Sequence, residues 1–286
     1  MPLKIDGSSL SSALRDVEIA LTREDMNYLG TSVLSWHIPV QLSRDILRLV
    51  ASLINFNVKK PRLGLFITIT GIDKTGKETQ LFNPAKKPGV IPLTEYLKSK
   101  DYQVLGIRQP SYDTRFGKLV SCYLGRPVPD IKIEGSIDSD IAWILWSLDR
   151  AQHNEKVNLW LTLGKTHIVL SKRWTESNVV YQSTYGIDPQ RVLNVERKIV
   201  KQDVTIILEL PVQEVLRRLS TQGRDAFENT SVLEKASKLY SNLETIFPFG
   251  KVYRIDANAD LQTVNARLLQ LIDNILGNNS SIIAKQ

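Results

Sequence analysis

The chain reads as an α/β fold, a five-stranded parallel sheet flanked by helices in three layers, with a helical N-terminal extension. Three observations predict it. The apolar run Leu63–Thr70 has the length and content of a buried strand, and it feeds directly into a glycine-bounded loop. From there onward strand and helix signals alternate, the pattern of a parallel sheet covered on both faces. Before Lys59-Lys60-Pro61-Arg62 the periodicity is helical, with little strand signal. These boundaries divide the chain into an extension (1–60), a main domain (61–277) and a flexible tail (278–286).

In the extension, Thr22-Arg23-Glu24-Asp25 has the hydroxyl and first-turn acids of a helix start. Ser43-Arg44-Asp45 precedes an amphipathic stripe of Ile46, Leu47, Leu49, Val50, Leu53 and Ile54. This stripe suits either packing on the main domain or a partner surface; its polar face has too few basic residues for a membrane. The strands of the main domain are expected at Phe66–Thr70, Gln103–Arg108, Thr166–Ser171, Val204–Leu210 and Val252–Ile255. Helices are expected between them, including Ile141–Leu163 and Leu261–Leu276. Right-handed crossovers then gather the strand C-termini on one edge, where ligands bind. The helix beginning near Lys77 should stop after about two turns, at Asn83-Pro84 and Pro88-Gly89. Residues 83–93 read as an insertion before helix resumes near Thr94.

Charge and cysteine content narrow the function. Thirty-seven Lys and Arg against thirty Asp and Glu leave a net +7, dispersed without a basic block. That favours small phosphorylated ligands over nucleic acid. No apolar run reaches the length of a membrane span, and the N-terminus lacks the apolar core of a signal peptide. The single cysteine, Cys122, excludes intramolecular disulfides and cysteine-based zinc sites, and it fits a reducing, cytoplasmic location.

Gly71-Ile72-Asp73-Lys74-Thr75-Gly76-Lys77-Glu78-Thr79 carries the chemistry. A strand leading to a glycine-bounded loop that ends in Gly-Lys turns backbone N–H groups toward phosphate oxygens and lets the lysine reach the outer phosphates. The residue after that lysine is ordinarily Ser or Thr, whose hydroxyl meets magnesium; here it is Glu78. Downstream, Trp146, Arg150 and His153 share one helical face, suited to a base and a phosphate or equally to a core tryptophan beside a rim arginine. Arg217, Arg218 and Arg224, with Asp225 and Glu228 following, fit either a phosphate-closing lid or a solvated helix.

Taken in order, these segments resemble the thymidylate kinase family. The resemblance rests on Gly71–Lys77, on Arg108-Gln109-Pro110 leading to Thr114 and Gly117, on Trp146 with Arg150, on Ser177-Asn178 with Tyr181-Gln182, and on Asp225-Ala226-Phe227-Glu228. It implies the P-loop NTPase fold and γ-phosphoryl transfer from ATP, with Mg2+, to dTMP, by a cytoplasmic homodimer. Gly71, Thr75, Gly76, Lys77, Glu78 and Thr79 would hold ATP, with Asp73 and Glu78 near the metal. Lys77, Asp73, Lys74, Arg173 and Arg224 would act at the transferred group. Tyr112, Trp146, Arg150, Asn178, Tyr181 and Gln182 would hold dTMP. Three positions depart from the family pattern: Thr70 in place of a glutamate, Glu78 in place of a hydroxyl, and Lys172 in place of the aspartate of an Asp-Arg-Tyr segment. Glu78 could offer oxygen to magnesium or pair with Lys77. The departures keep two alternatives open: nucleotide binding with little turnover, and another deoxynucleotide or deoxynucleoside as acceptor.

Overall fold

Strand β2 (Leu65–Thr70) is buried along its whole length, as its apolar run predicts. A computed structural model describes residues 2–58, 60–219 and 229–277. The N-terminal region comprises β1 (Leu3–Asp6), α1 (Gly7–Arg23), α2 (Met26–Ser32), a 3-10 turn and α3 (Val40–Ile54). After β2 come α4 (Lys77–Phe82), α5 (Leu93–Lys98), β3 (Gln103–Arg108), α6 (Arg115–Tyr123), β4 (Ile131–Glu134), α7 (Ile144–Ala151) and α8 (Asn154–Thr162). Next are β5 (His167–Lys172), α9 (Thr175–Thr184), α10 (Pro189–Val195), β6 (Val204–Glu209) and α11 (Val212–Leu219). The chain continues through α12 (Thr230–Ser241), α13 (Leu243–Ile246), β7 (Lys251–Asp256) and α14 (Leu261–Gly277).

The main sheet has five strands in the order β3-β5-β2-β6-β7, and every pairing is parallel. Alternation along the strands divides the core in two. Leu65, Ile67 and Ile69 face one way and pack with Leu81, Leu93 and Leu97 and with Leu268 and Ile272 of α14. Phe66, Val169 and Ile207 face the other way, in the layer that includes Trp143, Trp174, Val180 and Tyr240.

That second layer also contains Leu10, Leu14, Val17, Leu42, Ile46, Val50 and Leu53, so the N-terminal region shares its core with the rest of the chain. The stripe on α3 thus packs inward. Ion pairs tie its margins: Arg15 with Asp138 and Asp140, Glu18 with Arg191, Asp45 with Arg115, and Glu24 with Arg197. The region is not wholly helical, because β1 pairs in parallel with β4 as a separate two-stranded sheet. Each strand has four residues and alternates charged with apolar side chains, too short a pattern to register as a strand in the sequence.

The helix expected over 141–163 is broken between α7 and α8. The break frees Asn154, which donates to Lys198 O (3.0 Å) and accepts from Val200 N (2.7 Å). Helix α4 does end early, at Asn83. The segment beyond it is tied down by Asn83 and by Asn265 of α14, which accepts from Ile91 N (3.0 Å). The tail 278–286 lies outside the described residues.

Candidate active site

The C-terminal ends of β2, β5 and β3 lie side by side, with Ile69 and Arg108 both in register with Lys172. The loops leaving these ends build the site. After β2 the chain bends at Gly71, whose φ is 129°; a Cβ there would fall 2.6 Å from the Leu208 carbonyl oxygen. Glycine is therefore required by both conformation and space. Lys74 follows with φ 58°, and Arg173, after β5, has φ 64°. Left-handed backbone at non-glycine residues is costly and concentrates at functional sites.

The loop opens onto a cleft of 1040 Å³ lined by Asp73, Lys74, Gly76, Lys77, Glu78 and Thr79. Lys172, Arg173, Arg217 and Arg218 complete much of its charged wall. Gly71 and Thr75 do not line it: Gly71 supports the bend, and Thr75 is buried, donating to Ile72 O (3.2 Å). The Lys77 ammonium donates to Ile72 O and to Thr75 Oγ1. Burial, reinforced by Arg173, pushes the Lys77 amine well below the usual lysine range. An incoming polyphosphate would supply the counter-charge this buried amine needs.

A second, narrower pocket adjoins the cleft. Tyr112, Trp146, Arg150, Asn178, Tyr181 and Gln182, the residues expected to hold the acceptor, all line it. The two cavities share Asp73, Gln109, Pro110, Tyr112, Arg126 and Arg173. At this junction Arg173 donates to Asp73 Oδ1 (2.7 Å) and to Tyr181 Oη (3.2 Å), and Tyr181 donates to Asp73 Oδ2 (3.2 Å). Burial opposes the charge on both Asp73 and Arg173, but their mutual attraction outweighs it, lowering the Asp73 pKa and raising that of Arg173. The pocket holds its shape through a buried network. Glu196 accepts from Arg150, from Ser147 Oγ (2.7 Å) and from Asn178 Nδ2 (2.8 Å). Trp146 meets Tyr123 edge-on, with ring centroids 5.6 Å apart.

Several contributors carry weak sequence signals. Glu196 looks like a surface acid, yet it is fully buried. Arg126, a lone arginine in a turn, lies over the Tyr112 ring at 4.8 Å and lines both cavities. Asp149 fixes the segment after β3 by accepting from Ser111 N (2.9 Å), and burial raises its pKa to about 6. His153 lies beyond the end of α7 and meets Ser111 Oγ at 2.8 Å instead of sharing a ligand face with Trp146. A buried acid also stands near Thr70: Glu176 is hydrogen-bonded to it, while Thr70 Oγ1 meets Tyr240 Oη at 2.9 Å. Arg224 and the Asp225–Glu228 segment lie outside the described residues.

The expected metal ligands do not fit magnesium as they stand. Asp73 is engaged by Arg173 and Tyr181. Glu78 pairs with Arg108 (2.7 Å) and Lys172 (2.8 Å), not with Lys77. No group of three or more His, Cys, Asp or Glu side chains suited to a metal occurs among the described residues.

A lysine-bearing, glycine-bounded loop, with an aromatic pocket sharing the wall of its cleft, is the arrangement of a P-loop phosphotransferase. The thymidylate kinase family model matches residues 69–268, and the chain belongs to that family. A probable thymidylate kinase from Thermococcus kodakarensis is 32% identical over 217 residues, spanning 74% of this chain and 99% of the relative. One from Pyrococcus horikoshii is 30% identical over 213 residues, spanning 73% and 96%. The solved thymidylate kinase of Candida albicans shares the fold, with a TM-score of 0.53 and 19% identity over 75% of this chain and 93% of that one. The family match begins at residue 69.

Proposed function

We propose that the chain transfers the γ-phosphoryl group of ATP to dTMP. An oxygen of the dTMP phosphate attacks the γ-phosphorus, the bond to the β–γ bridging oxygen breaks, and dTDP and ADP result. The observation that carries this reading is the wall shared by the two cavities, where Asp73 and Arg173 stand between Lys77 and Trp146.

In this reading the loop from Gly71 to Thr79 receives the ATP phosphates, and Lys77 exchanges the Ile72 carbonyl for phosphate oxygen. Lys74, Arg217 and Arg218 add positive charge around the transferred group. Trp146 offers its ring to the thymine, with Asn178, Tyr181 and Gln182 bordering base and sugar and Arg173 meeting the acceptor phosphate. Arg150 acts through its bond with Glu196 as the rigid back of the pocket. Magnesium carried in with ATP would offset phosphate charge, and no residue of this chain is assigned to hold it. Rate then comes from alignment and fixed charge, since phosphoryl transfer asks little covalent chemistry of the protein.

The acceptor pocket, 70 Å³ by itself, shares Asp73, Gln109, Pro110, Tyr112, Arg126 and Arg173 with the 1040 Å³ cleft. We extend the reading to a cytoplasmic homodimer. The free thiol of Cys122 suits a reducing compartment, and exposed Leu159 and Leu163 offer apolar surface for self-association; light scattering on the purified chain tests the assembly.

The assay for the reaction is ADP release from Mg-ATP with dTMP, other monophosphates or thymidine in turn. Turnover with dTMP well above every other acceptor is expected. Preference for another acceptor, or binding of both nucleotides without turnover, rejects the reading.

A further inference from the structure

Two of the departures from the family pattern are in contact. Glu78, at the position where a hydroxyl would meet magnesium, lies in the first turn of α4. Lys172 ends β5, the strand beside β2, where P-loop enzymes commonly place a metal-binding aspartate. Here the Lys172 ammonium stands 2.8 Å from Glu78 Oε2. Arg108, at the end of β3 and in register with Lys172, donates to Glu78 Oε1 at 2.7 Å. Its guanidinium is held over the Phe82 ring at 3.7 Å. One carboxylate thus joins two cations fixed by neighbouring strands.

We infer that Lys172, steadied by Glu78 and Arg108, replaces the magnesium contact between protein and donor phosphates with built-in positive charge. The inference rests on the ATP-binding reading above and concerns only how the protein meets those phosphates.

The electrostatics favour this arrangement over a metal ligand. Glu78 with Lys172 and Arg108 sums to one net positive charge (−1 +1 +1) at the margin of the cleft. A divalent cation placed on Glu78 would stand against two fixed cations and would have to displace the Arg108 hydrogen bond and the Lys172 ion pair. Phosphate oxygen, by contrast, is attracted to them. Lys172 lines the cleft together with Lys77, so its ammonium faces the space the phosphates would fill. Burial lowers its pKa, and Glu78 opposes that effect by favouring the charged form. The two departures therefore form one change: Lys172 without Glu78 would lose its tether, and Glu78 without Lys172 would present an acid to the phosphates.

The test is ADP affinity measured by calorimetry on the full chain, in excess EDTA and in saturating magnesium. For the native protein the two values should agree within about threefold. A Glu78→Ser/Lys172→Asp double variant should lose about tenfold or more in EDTA and recover it when magnesium is added. Lys172→Met, a milder change, should weaken ADP by the same factor in both buffers; if the double variant fails to fold, as judged by its melting curve, this comparison decides. A loss of about tenfold on removing metal from the native protein overturns the inference. So does a folded double variant indifferent to metal, or a Lys172→Met variant weakened only in magnesium. No ADP binding in either buffer overturns the ATP-binding reading itself and the inference with it.

Discussion

The two cavities that meet at Asp73 and Arg173 are built in opposite ways. The cleft beside Lys77 is wide and lined by charged side chains on loops and helix ends. The pocket beside Trp146 is narrow, walled by aromatic rings and buried side chains, and backed by Glu196, which joins Ser147, Arg150 and Asn178. Two of the three departures from the family pattern, Glu78 and Lys172, face the cleft, whereas Trp146, Arg150, Asn178 and Tyr181 remain on the other side. Charge on a loop can be exchanged for other charge of the same sum. A shape set by buried partners cannot change one residue at a time, because each lost partner strands another polar group.

This contrast can be broken most severely from the buried side. Glu196→Ala leaves the Arg150 guanidinium without its partner and should destabilise the fold by about 3–5 kcal/mol, read as a fall in the urea midpoint. Lys77→Ala acts on the other cavity. It should cut kcat by about a hundredfold to a thousandfold, the scale of losing one charge-stabilising donor, with the KM for dTMP little changed. Trp146→Ala should do the reverse: loss of base stacking, worth about 1–3 kcal/mol, should raise the KM for dTMP by about tenfold to a hundredfold and leave ADP affinity unaltered.

A pH-dependent effect concerns Asp149, which accepts a hydrogen bond from the Ser111 backbone beside the cavities. Its folded pKa of about 6 lies above the ordinary 3.8. The folded state therefore retains a proton that the unfolded chain has released, and stability falls as pH rises from about 4 to about 6. Asp149→Asn keeps an acceptor for Ser111 N and should flatten that part of the stability profile, an effect of up to about 3 kcal/mol. A variant with the native slope would place the titration elsewhere.

The sequence made the five strands readable because β2, β5 and β6 are nearly continuous apolar runs. The phosphate loop was legible too, since Gly71 and Gly76 have backbone conformations that few other residues adopt. Trp146, Arg150, Asn178 and Tyr181 were recognisable as short segments in order, but only the fold brings them to one pocket. Contacts between residues far apart along the chain leave no local pattern in the sequence. Glu196 acquires its role from Arg150, far upstream in sequence, and β1 exists as a strand only because β4 lies beside it. The exchange of a metal contact for an ion pair was half visible: Glu78 and Lys172 each stood out as odd, but their contact required the register of β2 with β5.

The central claim is that ATP and dTMP lie on either side of the Asp73–Arg173 junction. A crystal structure of the full chain with dTMP and ADP tests it most directly. The account predicts the pyrimidine against the Trp146 ring, its phosphate at Arg173, and the ADP phosphates along the loop at Lys77. A pyrimidine bound outside the Trp146 pocket, or ADP phosphates away from Lys77, would contradict it.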